Sequence, residues 1–138
     1  MLCKCSVYFS DSHSVLLAVV LIVRWFFALL VEVPGAPEKL AVAEASKSSI
    51  KLTWSAPTND GGSPVTGYQV ERCLADSTRW IRVGKSTETS YTDKEVVEDT
   101  QYLYRVTAEN KVGPGPPSEP TPPVTAKDAW SELLSCFY

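Results

Sequence analysis

The sequence contains a single histidine, His13, and it lies outside the part of the chain that has the pattern of a folded domain. A Ser/His/Asp or Cys/His catalytic site needs an imidazole beside its nucleophile, so none can be built within that part. The run Asp60-Gly61-Gly62 lacks the further carboxylates of a calcium loop and the lysine of a phosphate loop. We therefore predict a protein that is not an enzyme, with no catalytic, cofactor-binding or metal-binding residues and no cofactor.

Cysteines are few, and they are poorly placed for a disulfide framework. Cys3, Cys5 and Cys136 lie near the chain ends, and Cys73 has no partner inside the domain. Small secreted domains commonly carry internal disulfides, and Cys3 and Cys5 lack the spaced second pair of a zinc site. The chain also has no Asn-x-Ser/Thr sequon and no Arg-Gly-Asp tripeptide. These absences favour a reducing compartment, the cytoplasm, over secretion.

An excess of positive charge is missing as well. The formal net charge is −3, and no one-sided run of lysines and arginines interrupts the chain. Binding to nucleic acid depends on neutralising phosphates with basic side chains, so we predict no nucleic-acid partner. The hydrophobic fraction of 44% and the charged fraction of 21% are those of a globular protein.

The chain has one long hydrophobic segment, within residues 1–33. The run VLLAVVLIV occupies residues 15–23, Arg24 interrupts it, and apolar residues continue to Val31. Residues 15–31 approach the length of a membrane helix, but a central arginine costs about 2.5–3.5 kcal/mol on insertion scales. Three interpretations stay open: a helical membrane anchor, a cleaved signal peptide, or an extension that is foreign to the native protein.

Alternation with a period of two residues dominates the chain after Val33. In the run TQYLYRVTAEN, Tyr102 and Tyr104 share one parity with Val106, while Arg105 takes the other. Ile50, Leu52 and Trp54 alternate in the same way, as do Tyr68 and Val70 farther along. This pattern indicates antiparallel strands that are buried on one face. The sequence therefore predicts an all-β, seven-stranded immunoglobulin-like β-sandwich.

The predicted domain occupies residues 34–127, and residues 128–138 form a short tail. Its strands are expected at 39–45, 49–55, 65–73, 79–83, 90–92, 100–110 and 118–125. The loop after Trp54 contains Asp60-Gly61-Gly62, whose glycines permit a positive φ. The aromatic side chains are expected to pack in the core rather than to bind a ligand; they are Trp54, Tyr68, Trp80, Tyr102 and Tyr104. Arg72, Arg79 and Arg82, with Glu71 and Asp76 nearby, are expected to form a solvated surface of mixed charge.

The order and spacing of these segments resemble a fibronectin type III domain. The motifs are VPGAPEKLAV, IKLTWSAP, GYQVER, TQYLYRVTAEN and VGPGPPSEP. Tyr102 stands where the β-sandwich family has its tyrosine corner, a tyrosine that bonds back to the backbone a few residues upstream. The loop NDGGSPVTGYQVER and the ending VTAKDAW are similar to the type III modules of titin, twitchin, projectin and myosin-binding protein C. Ala129 departs from that pattern, since the family commonly has a proline there.

This resemblance implies a structural, protein-binding module from a larger cytoplasmic protein of the sarcomere. The partners it implies are myosin and other thick-filament proteins, and neighbouring immunoglobulin or type III modules. A second hypothesis is a membrane-anchored or secreted adhesion or receptor fragment, in which residues 15–31 are the anchor or the signal. The hydrophobic segment favours the second hypothesis, and the unpaired Cys73 and the missing sequon favour the first.

Overall fold

The structure, a computed structural model, describes residues 18–22 and 30–129. The chain divides into two units, Met1–Val31 and Glu32–Tyr138. In the first unit residues 18–22 are helical, and most of the predicted 15–31 segment lies outside the described residues. Among the residues that are described, no helix is long and apolar enough to cross a membrane.

The described part of the second unit is built from eight β-strands and contains no cis peptide bond. In chain order the strands are β1 (Glu38–Ala45), β2 (Ile50–Ser55), β3 (Gly67–Leu74), β4 (Ile81–Ser86), β5 (Ser90–Asp93), β6 (Gln101–Glu109), β7 (Pro114–Pro117) and β8 (Val124–Thr125).

The strands form two antiparallel sheets that face each other. The first sheet has the order β1-β2-β5, and the second has the order β4-β3-β6-β7, with β8 also paired to β6. The longest ladder joins β3 to β6 and runs from the Gly67–Glu109 pair to the Leu74–Tyr102 pair. The predicted all-β sandwich is therefore confirmed.

The core lies between the two sheets and is made by the inward residues that the alternation predicted. Four of the five aromatic side chains expected in the core are there, and Trp54 and Tyr68 meet edge to face with ring centroids 5.4 Å apart. Trp80 is the exception, because it is only half-buried and lies outside this cluster. The core residues are Ile50, Leu52, Trp54, Tyr68, Val70, Tyr102, Tyr104, Val106, Ala108 and Ala126.

The predicted count of seven strands needs a correction, because the last strand, predicted at 118–125, is replaced by β7 before that range and by the short β8 at its end. Prolines cannot donate a ladder hydrogen bond, and several of them lie between these two strands. Ser118 and Thr121 fill the gap: their hydroxyls accept hydrogen bonds from the N–H groups of Val106 and Tyr104 at 3.1 and 3.0 Å. The backbone N–H groups of Ser118 and Thr121 return bonds to the carbonyls of the same two residues. The backbone of β6 therefore stays paired although its neighbour changes from strand to loop.

Two local predictions are confirmed. Gly61 and Gly62 have φ angles of 73° and 78°, in the left-handed region that favours glycine. The N–H of Val97 donates a hydrogen bond of 3.0 Å to the phenolic oxygen of Tyr102, as expected for a tyrosine corner. This bond joins the β5–β6 connection to the start of β6.

Candidate junction and interaction surfaces

The segment that leads into the domain is bonded to the β2–β3 loop. The N–H of Glu32 donates to the carbonyl of Gly61 and the N–H of Gly35 donates to the carbonyl of Asn59, both at 2.8 Å. The chains approach so closely that a Cβ atom added to Gly61 would overlap the carbonyl of Glu32. A Cβ atom added to Gly115 would overlap the carbonyl of Pro34. Glycine is therefore required on both sides of this incoming segment.

Asn110, directly after β6, fastens the same segment with its side-chain amide. Its Nδ2 group donates to the carbonyls of Glu32 and Asp60 at 2.6 and 3.0 Å. Its Oδ1 atom accepts from the N–H groups of Val112 and Gly113 at 2.9 and 3.3 Å. Asn110 is buried, and all four hydrogen-bonding positions of its amide are used. The Asn110 side chain thus adds to the backbone bonds from Glu32 and Gly35 in holding the incoming segment.

The segment that leaves the domain is also bonded to its body. Ala126 is fully buried; it accepts from the N–H of Asp99 at 2.9 Å and donates to the carbonyl of Thr100 at 3.0 Å. Two residues later, the Oδ1 atom of Asp128 accepts from the N–H of Lys47 at 3.0 Å. The Lys47 ammonium lies 3.7 Å from the other carboxylate oxygen, although this ion pair is exposed and adds little by itself.

A buried ion pair joins the two sheets, and it corrects the expectation that Arg72 lies on a solvated surface. The Arg72 and Asp93 side chains are only 11% and 2% exposed, and their N–O distance is 2.6 Å. The Asp93 carboxylate also accepts from the hydroxyl of Tyr104 and the N–H of Glu95, each at 3.0 Å. The guanidinium of Arg72 also donates a hydrogen bond of 2.9 Å to the carbonyl of Glu95. Arg72 has the inward parity of β3, which the basic-patch prediction overlooked.

These contacts perturb two pKa values. Burial opposes the charged form of Arg72, but the charge of Asp93 and its hydrogen bond outweigh that effect and raise the pKa of the guanidinium. Burial, reinforced by the Asp93 carboxylate, raises the pKa of Tyr104 far above its ordinary value. The cluster therefore holds Arg72 charged and Tyr104 neutral. That is the behaviour of a structural network.

The outer face of the second sheet carries a stacked cation. The guanidinium of Arg105 lies 4.4 Å from the ring centroid of Trp80, and its Nε donates to the Glu71 carboxylate at 2.6 Å. Trp80 thus covers the outside of the sheet rather than filling the core. Arg79 and Arg82 are exposed, and neither has an ion-pair partner among residues 30–129. Arg79 and Arg82, two members of the predicted surface of mixed charge, are therefore accessible for contact with another molecule.

The described part of the chain offers few side chains that could bind a metal ion or act as a nucleophile. Within it, no group of three or more histidine, cysteine, aspartate or glutamate side chains is arranged to hold a metal ion. Cys73 is a buried free thiol that donates to the carbonyl of Ser77 at 3.1 Å. Cys3, Cys5 and His13 lie outside the described residues. The sequence prediction missed Asn110 and Asp93, although Asn110 had a visible signal, since an asparagine at the end of a strand often bonds through its side chain to the backbone two residues farther on.

The family model of the fibronectin type III domain matches residues 35–124. Among curated proteins, the chain is 38% identical to the titin homolog of Caenorhabditis elegans over 95 residues, which are 69% of this chain and, to the nearest per cent, 0% of that protein. It is 38% identical to fast-type myosin-binding protein C of Homo sapiens over 110 residues, which are 78% of this chain and 10% of that protein. The chain thus spans a tenth or less of the length of these relatives.

Solved structures show the same similarity. A crystal structure of titin domains shares 44% sequence identity with this chain, has a TM-score of 0.69, and is matched over 70% of this chain and 33% of that one. The twitchin kinase region of Caenorhabditis elegans shares 34% identity with a TM-score of 0.68, over 71% of this chain and 17% of that one.

Proposed function

The chain belongs to the fibronectin type III family, and from this membership we propose that it is a non-catalytic structural module of a sarcomeric protein of the titin, twitchin or myosin-binding protein C kind. Its role would be to organise the myofibril as a spacer and a docking surface. A relative named M-protein of striated muscle, 34% identical over 100 residues, supports the same class of protein.

The observation that carries the proposal is that the segments at both ends of the domain are bonded to its body. Glu32 is held by Gly61 and Asn110 where the chain arrives, and Ala126 is held by Asp99 where it leaves. A module joined to neighbours at both ends passes tension and orientation through these two junctions. Fixed junctions are what a spacer in a tandem array requires, whereas a domain tethered by loose linkers would set no direction for its neighbours.

We propose residues 34–127 as the module, residues 1–33 as a hydrophobic segment whose last two residues form the incoming junction, and residues 128–138 as a tail. The proposed partners are myosin or other thick-filament proteins, and neighbouring immunoglobulin or type III modules. Each single contact would be weak, and affinity would come from many modules acting together. We assign no residue a catalytic, cofactor-binding or metal-binding role.

The test has two parts. Sequencing the transcript across both edges of the module should find further immunoglobulin or type III modules in frame. The full chain, fused to a fluorescent protein and expressed in cultured striated muscle cells, should give regular bands in register with the myosin filaments, whereas the fluorescent protein alone should stay diffuse. Recovery of the fusion in a membrane fraction that resists carbonate extraction, with no neighbouring modules in the transcript, would overturn the proposal.

A further inference from the structure

Three exposed apolar side chains line one groove at the start of β6. Leu74 and Ile81 are each 43% exposed and Val97 is 64% exposed. Across residues 32–129, they are three of the five large hydrophobic residues that are strongly exposed. Their groove has a volume of about 380 Å³. Scattered apolar residues are ordinary on a protein surface, but a cluster in one concave site is typical of an interaction surface.

The groove is built on fixed parts of the fold. One wall is the β3–β4 connection and the start of β4, and the other is the β5–β6 connection. The hydrogen bond from Val97 to the Tyr102 hydroxyl holds the second wall in place. Arg72 lies 5.0 Å from the Tyr102 ring centroid, and both side chains line the groove. Binding therefore needs little ordering of the protein, which favours affinity from a small contact.

The charges around the groove are unequal. Arg79 lines the β4 side, Arg82 follows nearby on β4, and neither is ion-paired within the described region. The charge of Arg72 is already neutralised by Asp93. Among the described residues, one carboxylate residue, Glu95, lines the groove, and it lies on the opposite wall. An exposed guanidinium without a partner is suited to a carboxylate, which it can bind through two parallel hydrogen bonds.

We propose that this groove binds an extended acidic segment of another protein, which inserts one leucine-sized side chain between Leu74 and Val97 and sets a carboxylate against Arg79. An extended shape fits because β4 is the edge strand of its sheet, so it has no strand partner on its outer side, where the Val83 carbonyl accepts from the Tyr91 hydroxyl but the start of the strand beside the groove is open to pairing. The groove would bind such a segment in solution whether or not the chain works in muscle, so this proposal and the proposed sarcomeric function can fail separately.

The test is an NMR titration of the full chain, labelled with ¹⁵N, against the synthetic peptide Gly-Asp-Leu-Asp-Leu-Asp-Gly. We expect saturable shifts centred on Leu74, Arg79 and Val97. The variants Val97→Ser and Arg79→Glu change exposed side chains and should leave the rest of the spectrum unaltered. Each should weaken binding by about tenfold or more, as expected when one central apolar or charged contact is removed.

Two controls keep the result specific. Val112 is a valine of similar exposure, at 50%, in the β6–β7 loop rather than in the groove, so Val112→Ser should leave the affinity unchanged. The same peptide with lysine in place of every aspartate should bind much more weakly. Absence of saturable shifts at the groove, equal binding of the lysine peptide, or an equal loss in Val112→Ser would each overturn the proposal.

Discussion

Replacing Arg72 by methionine should destabilise the domain strongly, because it leaves the Asp93 carboxylate without its countercharge. The Asp93 side chain is 2% exposed, so water cannot take over the role of the guanidinium. Removing one member of a buried ion pair typically costs about 3–5 kcal/mol. The Tyr104 hydroxyl and the Glu95 N–H still donate to the carboxylate, so we expect about 3 kcal/mol, the lower end of that range.

A double-mutant cycle separates the lost ion pair from lost packing. Asp93→Asn removes the negative charge and keeps one acceptor oxygen, which can serve either the Tyr104 hydroxyl or the Glu95 N–H, since these two donors bond different carboxylate oxygens of Asp93. In the double variant Arg72→Met/Asp93→Asn no unpaired charge is buried, so its destabilisation should be smaller than the sum of the two single changes. We expect an interaction energy of about 1–3 kcal/mol, within the range found for residues in direct contact.

Urea unfolding followed by tryptophan fluorescence measures these differences, since Trp54 lies in the core. Arg82→Met is the matched control, because Arg82 is an exposed arginine on the neighbouring strand β4 and should change stability by at most about 0.5 kcal/mol. If Arg72→Met were no more destabilising than Arg82→Met, or if the two changes were simply additive, the reasoning from a buried pair would be wrong.

Three further predictions concern the incoming junction, the core and alkaline pH. Gly115→Ala should lower the free energy of unfolding, measured in urea, by about 1–3 kcal/mol, because its Cβ would overlap the Pro34 carbonyl. Gly35→Ala is the control and should be nearly neutral, because the atom nearest to its added Cβ would lie 3.5 Å away. Equal effects of the two changes would contradict a tight junction. Trp54→Ala should lower the free energy of unfolding by about 3–5 kcal/mol. Trp54→Phe should lower it clearly less, because the indole N–H has no hydrogen-bond partner among the described residues. Equal losses in the two variants would show that this N–H contributes to stability. Burial raises the pKa of Tyr104, so the unfolded chain loses the phenolic proton near pH 10 while the folded domain keeps it. The free energy of unfolding should therefore fall above pH 10, by up to about 1.4 kcal/mol per pH unit for this group. Tyr104→Phe should make the fall of the urea midpoint with pH shallower, and an unchanged slope would exclude this tyrosine as its source.

The strands that the sequence predicted best are those whose two faces differ most. β2 alternates between buried and more exposed positions throughout, and β6 does so from Gln101 to Val106, so their period of two residues is visible without any knowledge of their partners. β4 was predicted at residues 79–83 but occupies Ile81–Ser86, because Arg79 and Trp80 belong to the preceding connection. An edge strand has few inward positions, and its limits depend on its pairing with β3 rather than on its own pattern.

The buried ion pair could not be predicted, because its two members are distant in sequence and each looks ordinary alone. Arg72 and Asp93 are 21 positions apart and lie on strands of different sheets. From the sequence alone, an arginine near the end of a strand is expected to face solvent even at an inward position, because charged side chains are seldom buried. Only the opposing sheet, which brings the carboxylate to the same depth, makes the inward position favourable.

The positions of the junctions and the groove along β6 predict which neighbour in the proposed tandem array would affect binding at the proposed groove. Asn110 follows the last residue of β6, and the groove lies at its start, so about 30 Å of strand separates the incoming junction from the groove. The outgoing segment is close, because Thr100 lines the groove and also accepts the hydrogen bond from Ala126. In the proposed array, a module that follows this one would therefore be near enough to cover or extend the groove, whereas one that precedes it would meet the opposite end of the sandwich. In a tandem array, access to the groove would then depend on the module that follows and on how the chain leaves at Asp128.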